Sequence, residues 1–140
     1  MKKSFYLVIA SMLLLVGGIS CSSDDENKTV EYFHGTRVQL EPKASLPTWL
    51  IEKADNMEAD KTYNLIKKGV YQGETLYWVD IPASSCPFCD LYDSKGAWYN
   101  ESGKYSESDI SKLSITDLWE IVYSYPSFEE SKAWWEANYN

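Results

Sequence analysis

The sequence predicts an α+β fold: a small antiparallel meander of three to four strands packed against an N-terminal helix and two C-terminal helices. Three observations carry this. Apolar residues recur at helical spacing from Leu46 to Met57 and again toward the C-terminus. Between those stretches, aromatic and β-branched residues alternate at period two, punctuated by glycine-containing turns. The composition, 44% hydrophobic with 15% aromatic and 24% charged, is that of a folding chain and not of an acidic disordered one. The segment order of helix, strands, helix, helix would place the helices on one face of the sheet.

The first segment is predicted to be cleaved. Lys2 and Lys3 precede an apolar stretch from Phe5 to Ile19, broken only by Ser11 and ending in small residues at Gly17, Gly18 and Ser20. The stretch is shorter than the about 20 residues a helical membrane span needs, so residues 1–20 read as a signal peptide. Residues 21–30 follow as a tether: Ser22-Ser23-Asp24-Asp25-Glu26-Asn27 contains nothing apolar and cannot pack. Residues 31–140 are then a single domain.

Within that domain, Val30 to Leu40 alternates loosely around His34-Gly35-Thr36 and is read as an edge strand or an ordered arm. Leu46, Leu50, Ala54 and Met57 share a helix face, with Trp49 beside them and Pro47 at a permitted first-turn position. Strands are expected over Tyr63–Tyr71, Thr75–Ile81, Cys89–Tyr92 and Ala97–Tyr99, with turns at Gln72-Gly73 and Asp93-Ser94-Lys95-Gly96. Thr75, Tyr77, Val79 and Ile81 should face one way, and Leu76, Trp78 and Asp80 the other. After a loop at Glu101-Ser102-Gly103-Lys104, Ser114 and Asp117 look like a helix start, with Leu118, Ile121, Val122 and Tyr125 as its apolar stripe. Beyond Pro126, Ser127-Phe128-Glu129-Glu130 reads as a capping box opening a last helix that carries Trp134 and Trp135.

Two resemblances add to this. Gly18-Ile19-Ser20-Cys21 resembles the lipobox of bacterial lipoproteins, with glycine where leucine is commonest. That implies cleavage before Cys21, acylation of its thiol and new amine, and attachment to a membrane through the lipid, since two or more chains hold where one does not. The acidic run behind Cys21 resembles the export signal of outer-membrane lipoproteins of Bacteroidota, which implies an outer-membrane, surface-facing location. The mature chain also resembles small Bacteroidota lipoproteins at Leu46-Pro47-Thr48-Trp49-Leu50, Gly73-Glu74-Thr75-Leu76-Tyr77 and Asp93-Ser94-Lys95-Gly96. That group carries no assigned activity, so the likeness implies a fold and not a reaction.

Charge narrows the partners. Lys+Arg 13 against Asp+Glu 21 gives −8, and removing residues 1–20 takes away two lysines and no acid, leaving 11 against 21, or −10. Such a domain is no nucleic-acid clamp, and its body is repelled by an anionic membrane. Of three cysteines, lipidation of Cys21 leaves Cys86 and Cys89 as a pair. Cys86-Pro87-Phe88-Cys89 is read as a local disulfide stiffening a loop, worth roughly 2 kcal/mol by chain entropy. The alternative is a redox dithiol, because the Pro-Phe insert looks like a glutaredoxin site; that chemistry needs a helix N-terminus behind the motif to lower a thiol pKa. Zinc would need two further ligands, and His34 is the one histidine, so no metal and no cofactor are expected. Asp80, Asp90 and Asp93 lie near strand ends, where gathered carboxylates could serve glycoside hydrolysis, but they are read as ordinary turn and edge residues.

Six tryptophans and eleven tyrosines are more than a core of this size requires. Trp78, Trp98, Trp134 and Trp135 are therefore the binding candidates, and no residue is assigned a catalytic role. The expected function is a non-catalytic module presenting aromatics to a protein or glycan, with an exported thiol–disulfide oxidoreductase as the alternative.

Overall fold

The computed structural model describes residues 30–82, 89–99 and 103–139. The class is α+β, but the sheet is larger than predicted and mixed. Six strands run β1 (Tyr32–Phe33), β2 (Thr36–Val38), β3 (Asn64–Tyr71), β4 (Glu74–Asp80), β5 (Leu91–Asp93) and β6 (Trp119–Tyr125), in the spatial order β1-β2-β6-β3-β4-β5. All neighbours are antiparallel except β2 and β6, which pair in parallel. The helices are α1 (Thr48–Ala59), α2 (Glu107–Leu113) and α3 (Phe128–Tyr139).

The expected turns form for the expected reason. Gln72 and Gly73 take φ of 51° and 80°, the pair of left-handed residues that a two-residue hairpin between twisted strands requires. His34 and Gly35, at 48° and 76°, do the same between β1 and β2, turning the predicted arm into a hairpin. Helix α1 opens at Pro47, whose carbonyl accepts from the amides of Leu50 and Ile51. It closes with Lys61 in the left-handed region, the Thr62 amide donating to the Met57 carbonyl and the Lys61 amide to Glu58.

Three further expectations are corrected. Ala97–Tyr99 forms no strand, since Trp98 makes only an isolated bridge to Tyr92. The segment read as a helix from Ser114 through Tyr125 is instead a short 3₁₀ turn, Thr116–Leu118, followed by β6 at the heart of the sheet. The helix of this region lies earlier, at α2, where Ser106 and Asp109 form a reciprocal capping box. The helices also cover both faces of the sheet, not one. Leu46, Leu50, Ala54 and Met57 of α1 and the turn before it pack on Ile66, Tyr77, Val79 and Val122. The opposite face carries Phe33, Leu65 and Ile121 against Phe128 of α3, and Leu76, Leu91 and Trp119 against Leu113 of α2. The alternation expected in β4 survives, Tyr77 and Val79 facing α1 while Leu76 and Trp78 face the other way.

Polar side chains tie the layers. Tyr123 of β6 donates to Glu58 of α1, which also receives the Lys43 ammonium at 2.6 Å. Tyr105 donates to Glu74 at 2.9 Å, and Tyr71 to Asp109 at 2.7 Å. The Ser106 hydroxyl, then the Tyr71 phenol and the Ser106 amide, hold Asp109 down at about 2, so this cap persists into strong acid. Burial first, and then the carboxylate each phenol serves, push Tyr105 and Tyr123 from 10.0 up to about 12. The native state thus keeps protons that the unfolded chain has released. Their stabilisation is complete below pH 10 and fades as the pH climbs toward 12. Urea midpoints measured across that alkaline range should fall steadily in the wild type and less steeply in Tyr123→Phe. Equal slopes would mean that Tyr123 has no such role.

Candidate functional site

A cavity of about 300 Å³ lies between α3 and the sheet. Each element delivers its wall by register. In β3 and β4, Leu65 stands opposite Asp80 and Lys67 opposite Trp78, so Leu65, Lys67 and Asp80 share one face. The β1–β2 hairpin brings Phe33 and His34 to one side. Helix α3 supplies Trp135 and Tyr139 from consecutive turns of the stripe whose root is Phe128. That helix is set by Ser127, whose amide and hydroxyl both donate to Glu130 at 3.2 and 2.6 Å, and the Tyr139 hydroxyl pins its far end to the Pro82 carbonyl at 2.9 Å.

The walls are largely aromatic. Trp135 and Tyr139 lie 5.1 Å apart with planes at 39°, and Phe33 meets Trp135 edge-on at 6.5 Å. Behind them Trp134 stacks on Tyr63 at 5.0 Å and stands perpendicular to Trp135. The floor is polar. Lys67 Nζ donates to Asp80 Oδ2 at 2.7 Å while lying 4.1 Å from the centre of the Trp78 ring. With side chains 12% and 20% exposed, this is the most sheltered ion pair among the described residues.

A cleft of about 570 Å³ on the α1 side of the sheet is larger, but two of its charged groups are already committed: Lys68 to Glu41, and Glu120 to Arg37 at 3.1 Å. It offers Tyr77 as its one aromatic wall.

The predicted residues separate on this geometry. Trp135 lines the cavity, Trp134 buttresses it from behind, and Trp78 lies under the ion pair. Trp98 is elsewhere: it pairs with Tyr92 in an isolated bridge and its indole donates to the Cys89 carbonyl. None of the four is fully exposed, since each packs one face or edge against a neighbour; among the described phenylalanine, tyrosine and tryptophan rings, Tyr32 and Tyr139 are exposed. His34, read as a loop or core-edge residue, sits in the hairpin turn at the cavity rim, 6.4 Å from Trp135. The sequence reading missed Lys67, Asp80 as its partner, and Tyr139. The signal was available, because residues two apart across a hairpin register are diagonal neighbours.

The three aspartates do not gather. Asp80 serves Lys67 on the α3 side, Asp90 reaches Lys53 of α1 at 3.4 Å, and Asp93 caps its turn by accepting from the Lys95 and Ala97 amides at 2.8 and 2.9 Å. Cys89 is disulfide-bonded and leads through a turn into strand β5, not into a helix. The helix N-terminus that dithiol chemistry needs does not follow the motif. Cys21 and Cys86 lie outside the described residues.

Compared with known proteins, the chain matches no family model, no curated protein and no solved structure.

Proposed function

We propose that this chain is a bacterial lipoprotein, anchored to the outer membrane through lipid on Cys21, whose domain is a non-catalytic binding module for a glycan or a protein side chain. The aromatic-walled cavity with a charged floor carries the reading. Apolar walls with a few fixed polar groups are the ordinary make-up of a small-molecule site, and Lys67 and Asp80 sit where they would orient what enters. The lipid on Cys21 would keep the cavity close to the membrane.

Anchoring and binding are tested separately. Cells given an alkynyl palmitate should label the wild-type chain and not Cys21→Ser, which should leave the membrane fraction. A wild-type chain without label would end the lipoprotein reading. A photo-crosslinker placed at Tyr139 should capture a discrete adduct on intact cells, lost on competition with the free ligand. Absence of any adduct counts against the module.

A further inference from the structure

The chemistry of the cavity narrows the ligand further, on the premise that the domain is a binding module. We infer that the site between α3 and the sheet takes the neutral end of a saccharide, one or two pyranose rings, with its C–H face on Trp135 and Tyr139 and adjacent hydroxyls on Lys67 and Asp80.

Three observations converge on this class. The first is size. At about 300 Å³ the cavity is at the bottom of the roughly 300–1,000 Å³ range of small-molecule sites, which suits one or two rings and not a length of peptide. The second is the charge state of the floor. Lys67 and Asp80 neutralise one another in a sheltered position. A ligand with a net charge would draw one of them away and leave the other sheltered and unpaired, so carboxylates and amines are disfavoured. A purely apolar ligand fails differently, by stripping water from the pair and giving nothing back. A neutral polyol does neither. Its hydroxyls both donate and accept, so one can donate to the acceptor positions Asp80 keeps beyond its bond to Lys67 while its neighbour accepts from the ammonium.

The third observation is the wall. Two rings at 5.1 Å with a 39° tilt form an angled aromatic surface on the opposite side from the polar pair. A pyranose has the matching division, one face of C–H groups and an edge of hydroxyls. Aromatic faces carry negative potential and attract the positively polarised hydrogens of such a face. His34, exposed on the hairpin turn at the rim, adds a further donor or acceptor next to the mouth.

The test uses the full-length chain in lipid nanodiscs, with tryptophan fluorescence and calorimetry as readouts. The probes are methyl pyranosides of glucose, galactose, mannose and N-acetylglucosamine, the disaccharides maltose and cellobiose, glucuronate and glucosamine as charged counterparts, and N-acetylphenylalanine amide as a neutral aromatic side chain. At least one neutral sugar should bind saturably, and at least about tenfold more tightly than its charged counterpart. Tyr139→Ala, at the exposed end of α3, should weaken it several-fold without unfolding the domain. The double variant Lys67→Met, Asp80→Leu replaces the ion pair by apolar side chains, a change that folds tolerate, and it should abolish sugar binding. Ile115→Ser, an exposed residue away from the cavity, should change nothing. Binding of N-acetylphenylalanine amide that survives the double variant, with no sugar bound, would overturn the saccharide assignment and leave the module intact. Binding of no probe at all would overturn both.

Discussion

Trp119→Ala is expected to cost about 3–5 kcal/mol, enough to remove most of the stability of a domain this size. Trp119 is the largest fully buried side chain and lies in β6, a central strand. Its ring stands edge-on to Trp78 at 5.7 Å, and its Nε1 hydrogen donates to the Leu113 carbonyl at 2.6 Å, closing the C-terminal end of α2. It also lies against Gly69, where a Cβ would come within 3.0 Å of its ring, so β3 has been cleared of a side chain to admit it. Truncation therefore opens a large cavity and removes the partner of a helix-terminal carbonyl together. Trp119→Phe separates these, since it keeps much of the apolar volume but cannot donate, and should cost about 1–3 kcal/mol. Urea unfolding followed by circular dichroism measures both. A loss in Trp119→Ala no larger than that in Trp119→Phe would show that packing is not what this residue contributes.

Gly96→Ala is expected to cost about 2–4 kcal/mol. Gly96 has φ of +86°, a conformation that a Cβ strains, and the added atom would approach the Trp49 ring to 2.8 Å. Trp49 cannot readily retreat, because its Nε1 hydrogen donates to the Ser94 carbonyl at 3.2 Å and its ring packs against Tyr77 and Tyr92. Gly73→Ala is the internal comparison. It has nearly the same φ, +80°, with nothing within 4 Å of the added carbon, so it should cost only the about 1 kcal/mol of backbone strain. Similar losses in the two variants would show that the contact between helix α1 and the β5 turn is soft.

Much of the fold was legible because its signals were local. Leu50, Ala54 and Met57 repeat at helical spacing and are buried, and Gln72-Gly73 is the turn it looks like. β6 was illegible for a physical reason. Ile66 pairs with Tyr123 and Lys67 with Ile121, so Val122 is the extra residue of a β-bulge. The bulge shifts the phase of the strand: Trp119 and Ile121 face α2 and α3, whereas Val122 and Tyr123 face α1. Read along the chain, a phase shift between two covered faces imitates the spacing of a helix stripe, here Leu118, Ile121, Val122 and Tyr125. The β-branched and aromatic make-up of Trp119–Tyr125 was the competing signal.

The site was half legible. Aromatic excess pointed to Trp135 and its neighbours, since composition and helical spacing are both visible in one dimension. The pairing of Lys67 with Asp80 depends on the hairpin register, and the approach of the β1–β2 hairpin to α3 depends on a pairing between distant parts of the chain. Neither leaves a mark at short range.

That distant pairing also sets the order in which the molecule can be assembled. β6, the last strand in sequence among the described residues, lies between β2 and β3, so residues before it form the β1–β2 hairpin and the β3-β4-β5 meander, with α1 and α2, but no continuous sheet. Until Trp119–Tyr125 arrives, β2 has no neighbour but the two-residue β1, and the inner edge of β3 stays open. A chain whose sheet closes only through its final strand cannot lock shut while its C-terminal part is still being made. The sheet closes late, when the last strand slides between the two that wait for it.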